Sequence, residues 1–180
     1  MYAINDCTEM PSSFDTLFEQ SLPSMEAGTF DWAYYGSPAD NDAKKSVIRG
    51  QYEQFLSADI PVVKVLLWEK DGHPVQVAAC NIDPAENDYI VFQYALYGAD
   101  AGGSKSWLHD LAYVEATRNF LRDQLGMLGF LIRCNHNSSL FNYHMSKGFA
   151  SNIYDVSLAG VEDLSESGGA TTATIKYRYL

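Results

Sequence analysis

The chain has 180 residues, of which 47% are hydrophobic and 19% charged, so it has enough apolar material for a folded core and is not a disordered chain. Its 23 acidic residues outnumber its 12 basic residues, the net charge is −11, and no Lys and Arg cluster is available to neutralise phosphates. We therefore expect neither nucleic acid nor an anionic membrane surface as a partner.

The acidic residues are concentrated in the first half of the chain. Residues 1–90 hold 15 acidic and 5 basic side chains, whereas residues 91–180 hold 8 and 7. An acidic surface raises the local concentration of cationic ligands and also keeps a protein soluble. The gradient favours a cationic substrate or a protein partner at the N-terminal half.

The cysteines and the lengths of the apolar segments indicate the cellular compartment in which the protein is expected. Cys7, Cys80 and Cys134 are far apart in the sequence, which favours three buried free thiols over a disulfide framework or a zinc site. No basic start followed by an apolar run is seen in the first twenty residues, and no stretch reaches about 18 apolar residues. We expect a cytoplasmic protein without a bound metal.

Hydrophobic periodicity and turn residues predict seven strands and four helices. The predicted strands are 2–7, 62–68, 74–82, 88–97, 130–134, 153–158 and 171–179. The predicted helices are one that begins after Pro11-Ser12-Ser13, then 44–57, 107–125 and 138–147. This order predicts a single α+β, or mixed α/β, domain over residues 1–180, with the second to fourth strands forming an antiparallel meander.

Residues 24–42 are rich in Gly, Pro, Asp, Asn and aromatic residues. The aromatic residues Phe30, Trp32, Tyr34 and Tyr35 are costly to leave in water, so we expect an ordered loop or lid. This loop is the first candidate for contact with a substrate.

A glycine-rich segment, 98–106, joins the fourth strand to the longest helix. Backbone N–H groups in such a turn, together with the helix dipole, can bind a phosphate or pyrophosphate, although a simple flexible turn is the alternative. Gly98 and Gly103 have the spacing of a Walker loop, but Ser104 stands where that motif needs Lys. A nucleotide triphosphatase is therefore disfavoured.

The most specific pattern lies after the fifth predicted strand. Asn137 follows the strand, a short helix comes next, and Gly148-Phe149 ends it eleven residues beyond the Asn. This pattern, together with the order of elements, resembles the GNAT acyltransferase superfamily. The resemblance implies a splayed mixed sheet flanked by helices that holds acyl-CoA between two parallel central strands, 89–97 and 130–134.

The resemblance also implies which residues bind the co-substrate, acetyl-CoA or another acyl-CoA. The pantetheine would pair with the backbone of the fourth strand, and the pyrophosphate would lie on the glycine-rich segment. The residues at these places are Leu96, Tyr97 and Gly98 for the pantetheine and Gly102, Gly103, Ser104 and Lys105 for the pyrophosphate, with Asn137 at the junction after the fifth strand.

Direct transfer to an amine needs an acid for the leaving thiolate and a base for the amine proton. His144 holds the position at which the family carries a proton-donating Tyr, and Tyr143 is its neighbour. His144 is a proton donor or, alternatively, a packing residue. The base is Asp88, Glu69, or a water relayed by Tyr94.

Two functions remain open at this point. One is an acyl-CoA-dependent N-acyltransferase acting on a small-molecule or peptide amine, with a cationic amine favoured by the acidic half. The other is a non-catalytic GNAT-like interaction or assembly protein, similar to the GNAT-like proteins of short-tailed bacteriophages, including internal virion proteins. The second function would make the protein virion-associated, with the acidic N-terminal half as its protein-binding face.

Overall fold

The computed structural model describes residues 1–26, 32, 36–60, 63–83, 85, 87–98, 110–146, 152–167 and 169–180. Within these residues there are four α-helices and seven strands. The strands are β1 (Tyr2–Cys7), β2 (Val63–Lys70), β3 (His73–Ile82), β4 (Tyr89–Tyr97), β5 (Gly129–Asn135), β6 (Tyr154–Asp163) and β7 (Thr171–Tyr179). The helices are α1 (Phe14–Glu26), α2 (Asn41–Ser57), α3 (Leu111–Leu125) and α4 (Ser139–Met145).

The strands form one mixed sheet in the order β1-β2-β3-β4-β5-β7-β6. All neighbouring pairs are antiparallel except β4 and β5, which are parallel and are connected through α3. Parallel neighbours need such a crossover, whereas the antiparallel β2 and β3 are joined at Asp71 and Gly72, both of which have positive φ. The predicted mixed α/β sheet flanked by helices is confirmed.

The helices cover the two faces of the sheet. Side chains alternate between faces along a strand, and on β2 Val65 belongs to the core beneath α1 and α2, whereas Leu66 and Trp68 belong to the core beneath α3 and α4. On the first side the buried residues include Phe14, Leu17, Phe18, Ile48, Tyr52, Val77 and Leu96. On the second side they include Val114, Leu121, Phe130, Tyr154, Ile175 and Tyr177.

The helix ends follow ordinary capping chemistry. The Asp40 carboxylate accepts the Ala43 N–H (2.8 Å) at the start of α2, and the Ser138 hydroxyl accepts the Phe141 N–H (3.1 Å) at the start of α4. Gly126, with φ of 67°, ends α3 in the left-handed region. These caps set the start of α2, the end of α3 and the start of α4.

Several boundaries differ from the sequence-based expectation: α2 begins at Asn41 rather than at residue 44, and α3 begins at Leu111 rather than at residue 107. Helix α1 continues through Pro23 to Glu26, and β6 runs to Asp163 rather than ending at Leu158. Strand β6 is at the edge of the sheet and is almost entirely exposed. Its second half pairs with β7 through backbone hydrogen bonds, and its sequence lacks the alternation of apolar and polar residues from which a strand is predicted. None of the helices described is long and apolar enough to cross a membrane.

Candidate functional site

The sheet opens between its two parallel strands. Strands β4 and β5 are paired from Tyr89 with Gly129 to Phe92 with Ile132, and then the pairing stops. Beyond that point β4 continues along β3 to Tyr97, while β5 continues along β7 to Asn135. The carboxyl ends of β4 and β5 therefore border a gap in the sheet, which we call the β4/β5 gap.

A bulge in β4 lies beside this gap. Tyr94 has a φ of 49°, and the register along β3 changes between Val77, opposite Leu96, and Ala79, opposite Gln93. A β-bulge bends a strand and increases its twist, which turns the last residues of β4 away from β5. The Tyr52 hydroxyl of α2 braces the bulge, lying 2.6 Å from the Tyr94 carbonyl oxygen and 3.1 Å from that of Val77.

A cavity of about 20 Å³ lies between α3 and the sheet where β4 and β5 separate. Its lining consists of Gln76, Phe92, Tyr97, Tyr113, Val114, Thr117, Phe130, Ile132 and Tyr154. On one wall the Tyr113 hydroxyl donates to Gln76 Oε1 (2.5 Å), and on α3 the Thr117 hydroxyl accepts the Trp68 indole N–H (3.0 Å). The cavity is thus mostly apolar, with a few hydroxyl groups and one amide at its surface.

His144 faces the core rather than the cavity lining. It is 2% exposed, and its Nδ1 shares a hydrogen bond with the Tyr177 hydroxyl. Burial lowers the pKa of His144 to about 4, so the imidazole is neutral at pH 7. The side chain therefore packs in the core as a neutral imidazole, and a role as proton donor would have to be played in that form. Tyr143 is half-buried beside it, and burial raises its pKa.

The backbone at the end of β4 is already engaged. The Tyr97 N–H donates to the Ser21 Oγ of α1 (2.9 Å), which also lies 3.2 Å from the Tyr97 carbonyl oxygen, and the Gly98 N–H donates to the Val75 carbonyl (2.8 Å). Leu96 is fully buried in the core beneath α1 and α2. A ligand that paired with the Tyr97 backbone would have to displace Ser21.

The start of α3 carries a negative charge. Gly102, Gly103, Ser104 and Lys105 lie outside the described residues, as do Gly148 and Phe149. Asp110 caps the helix: its carboxylate accepts the Ala112 N–H (3.0 Å) and the Tyr2 hydroxyl (2.7 Å) and lies 3.2 Å from Lys70 Nζ. The Tyr2 hydroxyl and Lys70 hold the pKa of the Asp110 carboxyl below its usual range despite its partial burial.

The candidate bases are spread over the sheet. Asp88 is exposed just before β4, at the opposite end of that strand from Tyr97, which a nine-residue strand puts roughly 30 Å away. Glu69 lies on β2, where it accepts a hydrogen bond from Asn5 (2.7 Å). Tyr94 is the candidate that lies on the gap, at the bulge.

Asn137 lies in the turn after β5, and that turn is held by Asn135. Asn135 is the last residue of β5, its Oδ1 accepts the Asn137 N–H (2.9 Å), and its carbonyl oxygen accepts from the Ser138 N–H and hydroxyl. Asn137 is exposed within the turn. The aromatic loop before α2 is described at Trp32, which is buried against the core beneath α1 and α2.

The polar lining of the cavity, Gln76, Tyr113, Thr117 and Tyr154, was not predicted from the sequence. Tyr113 and Thr117 are four residues apart on the apolar face of α3, and two polar-tipped residues at that spacing were the available signal. No group of three His, Cys, Asp or Glu side chains that could hold a metal ion is found in the part of the chain that the structure describes.

The fold has known counterparts among solved structures, although no family model matches the sequence and no curated protein does. An acetyltransferase from Salmonella typhimurium that modifies the N-terminal serine of ribosomal protein L7/L12 is 12% identical, with a TM-score of 0.58 over 99% of this chain and 95% of that one. The L7/L12 alpha-N-protein acetyltransferase RimL in complex with coenzyme A is 14% identical, with a TM-score of 0.54 over 98% and 94%. A candidate GNAT-family acetyltransferase from Desulfovibrio desulfuricans is 13% identical, with a TM-score of 0.52 over 99% and 98%. At these identities the likeness establishes the fold.

Proposed function

We propose that this protein is an acyl-CoA-dependent N-acyltransferase that transfers an acyl group, acetyl in the simplest case, directly to an amine. The observation that carries the proposal is the β4/β5 gap, with the bulge at Tyr94 on one side and the cavity beneath α3 beside it. The GNAT-type fold supports it, and so does the coenzyme A bound to RimL, a protein of that fold. Acyl-CoA is the co-substrate in this proposal, and the reaction needs no metal.

The chemistry is a single displacement. The amine nitrogen attacks the thioester carbonyl carbon, the new C–N bond forms, and the C–S bond breaks to release the CoA thiolate. A base takes the amine proton and an acid protonates the thiolate. Asp88 and Glu69 lie away from the gap, so a water held near Tyr94 is the base we favour. Tyr143, or His144 as a neutral imidazole, is the proposed acid.

The binding residues follow from the same resemblance. Backbone groups from Leu96 to Gly98 would hold the pantetheine once Ser21 has moved away from Tyr97. The glycine-rich segment would hold the pyrophosphate through Gly102, Gly103, Ser104 and Lys105. The carboxylate of Asp110 opposes an anion at the start of α3, so Lys105 and Lys70 would have to offset its charge.

The acceptor is an amine on a small molecule or a peptide. A peptide α-amine is one acceptor we propose, because an enzyme of similar fold modifies the N-terminal serine of a ribosomal protein. The acidic N-terminal half would favour a cationic amine as acceptor. We also propose that residues 1–180 form one GNAT-like domain and that the protein acts in the cytoplasm.

A thermal melt with and without acetyl-CoA tests the proposal. A ligand at a hundred times its Kd adds about 2.7 kcal/mol to the free energy of unfolding. At about 2–4 °C per kcal/mol for a domain of this size, the Tm should rise by about 5–10 °C. ATP at the same concentration is the control for non-specific binding of a polyanionic nucleotide. A positive melt should be followed by release of free thiol when acetyl-CoA is mixed with a panel of amines.

The alternative is a non-catalytic GNAT-like interaction protein. It predicts no change in Tm at millimolar acetyl-CoA and no thiol release with any amine. The comparisons lend no support to the phage branch or to a virion location. An unchanged Tm in the presence of acetyl-CoA would nevertheless reject the acyltransferase and favour this alternative.

A further inference from the structure

Tyr154 presents a buried hydroxyl without a hydrogen-bond partner among the described residues. It is the first residue of β6, and its side chain is 1% exposed. Its ring is held edge-on against Phe130 (5.2 Å between centroids) and Tyr177 (5.9 Å). A hydroxyl held so rigidly in the core normally finds a partner, because burying it without one costs free energy.

The hydroxyl belongs to the cavity beneath α3. Tyr154 lines that cavity together with Tyr113, and the two are close enough that Tyr154 adds to the effect of burial in raising the pKa of Tyr113. The polar groups across the cavity have partners: Tyr113 donates to Gln76, and Thr117 accepts from Trp68. Tyr154 is therefore a hydrogen-bond donor in place for something that enters the cavity.

The residues that line the cavity indicate which chemical group could bind there. Phe92, Val114, Phe130 and Ile132 are apolar, and no charged side chain is among the described lining residues. An ionised group would be poorly solvated there. A cavity of about 20 Å³ admits only a few non-hydrogen atoms, since about 10–15 Å³ of such space holds one water. The site suits a short neutral group with an apolar end and one hydrogen-bond acceptor.

We propose that the Tyr154 hydroxyl donates a hydrogen bond to the carbonyl oxygen of a short neutral acyl group seated in this cavity, and that it makes the protein prefer acyl-CoA to free CoA. This inference rests on the proposed function. It goes further in giving Tyr154, a β6 residue outside the GNAT-like motif, the task of recognising the acyl group. Acetyl is the acyl group that best matches a cavity of this volume, and an acyl group ending in a carboxylate would be disfavoured by the apolar walls.

The test compares the affinities of acetyl-CoA, succinyl-CoA and CoA by isothermal titration calorimetry for the wild type and Tyr154→Phe. One hydrogen bond is worth a factor of about 3–10 in affinity. We expect the wild type to bind acetyl-CoA more tightly than CoA by such a factor and to gain nothing from succinyl-CoA. Tyr154→Phe should bring the acetyl-CoA to CoA ratio to about one and leave CoA affinity unchanged. The matched control is Tyr179→Phe, because that ring packs 6.2 Å from Tyr154 but does not line the cavity.

The outcomes separate the two proposals. If neither acetyl-CoA nor CoA binds the wild type, the proposed function fails and this inference fails with it. If both bind and Tyr154→Phe keeps the wild-type ratio, the inference alone is overturned and the cavity holds water only. The ligand-free Tm of Tyr154→Phe should be no lower than that of the wild type, because the variant loses no internal hydrogen bond. A clearly lower Tm would show that the hydroxyl has a structural partner and would also overturn the inference.

Discussion

His144 and Tyr177 form a buried pair that links the protonation of the chain to its stability. The unfolded chain binds a proton on His144 with a pKa near 6.5, whereas burial lowers the pKa in the folded state to about 4. The unfolded state therefore binds more protons between these values, so the stability present above pH 6.5 is lost as the pH falls toward 4. The pair makes the fold acid-sensitive whatever the protein's activity.

We predict that the free energy of unfolding falls by up to about 3 kcal/mol from pH 7 to pH 4 on account of His144 alone. His144→Asn keeps a polar atom for Tyr177 but cannot take up the proton, so its curve of stability against pH should be flatter. Urea denaturation at pH 7.0, 5.5 and 4.5 measures the difference. Replacing the exposed His73 by Asn is the control and should leave the wild-type slope. Equal slopes in wild type and His144→Asn would contradict the prediction.

Ser21 decides whether the Tyr97 backbone is available to a ligand. Its Oγ accepts the Tyr97 N–H and lies close to the Tyr97 carbonyl oxygen. Ser21→Ala should cost about 1 kcal/mol of stability but bind acetyl-CoA several-fold more tightly, because the ligand no longer competes with a side chain. Calorimetric titration measures this, and Ser24→Ala, one turn later on α1, is the control. Weaker binding in Ser21→Ala would mean that the hydroxyl supports the site instead of blocking it.

At the scale of elements, the shape of β4 depends on a contact with α2. Tyr52→Phe removes the hydroxyl that lies between the carbonyl oxygens of Val77 and Tyr94. We expect a loss of about 1–3 kcal/mol in unfolding free energy, together with a smaller acetyl-CoA-induced rise in Tm, because the bulge is then less well defined. Both are read from melts with and without ligand.

The control for Tyr52→Phe is Phe14→Leu, since Phe14 packs edge-on against Tyr52 with the ring centroids 5.4 Å apart. That variant loses packing but keeps the hydroxyl at the bulge, so its ligand-induced rise should match that of the wild type. If Tyr52→Phe is destabilised but responds fully to acetyl-CoA, the bulge has no part in binding.

The elements themselves were predictable, and the details that make the site were not. Alternating β-branched and aromatic residues predict β4, but nothing in its sequence marks Tyr94, whose positive φ is unusual for an aromatic residue. The Tyr94 carbonyl oxygen is held by the hydroxyl of Tyr52 on helix α2. His144 lies in a seven-residue helix too short for periodicity to reveal which face is buried. Strand β5 ends at Asn135, opposite Thr172, one residue beyond the predicted end at Cys134, and the side chain of Asn135 then holds the turn that contains Asn137.

At the scale of the whole molecule, the net charge of −11 gives a testable kinetic expectation. Part of the acidity of the first half is neutralised locally, as where Asp15 pairs with Lys45 and Arg49, but an excess of negative charge remains. For a dicationic amine, kcat/KM should fall several-fold between about 20 and 300 mM NaCl, because salt screens long-range attraction. A neutral amine of similar size is the control. Equal salt dependence for the two amines would remove the acidic half from acceptor recognition.

The seven-stranded sheet is, in terms of its backbone bonding, two smaller sheets joined by a short seam. β1 to β4 form one antiparallel half and β5 to β7 the other. Among the described residues, the strand pairing between the halves consists of four pairs, from Tyr89 with Gly129 to Phe92 with Ile132. The strand ends beyond that seam have the fewest backbone bonds between the halves to hold them together. A ligand bound between these strand ends would form hydrogen bonds with both halves, in the way that an extra strand does. The two halves would then unfold together. The gap that admits the ligand would thus become the place where the ligand joins the two halves of the sheet.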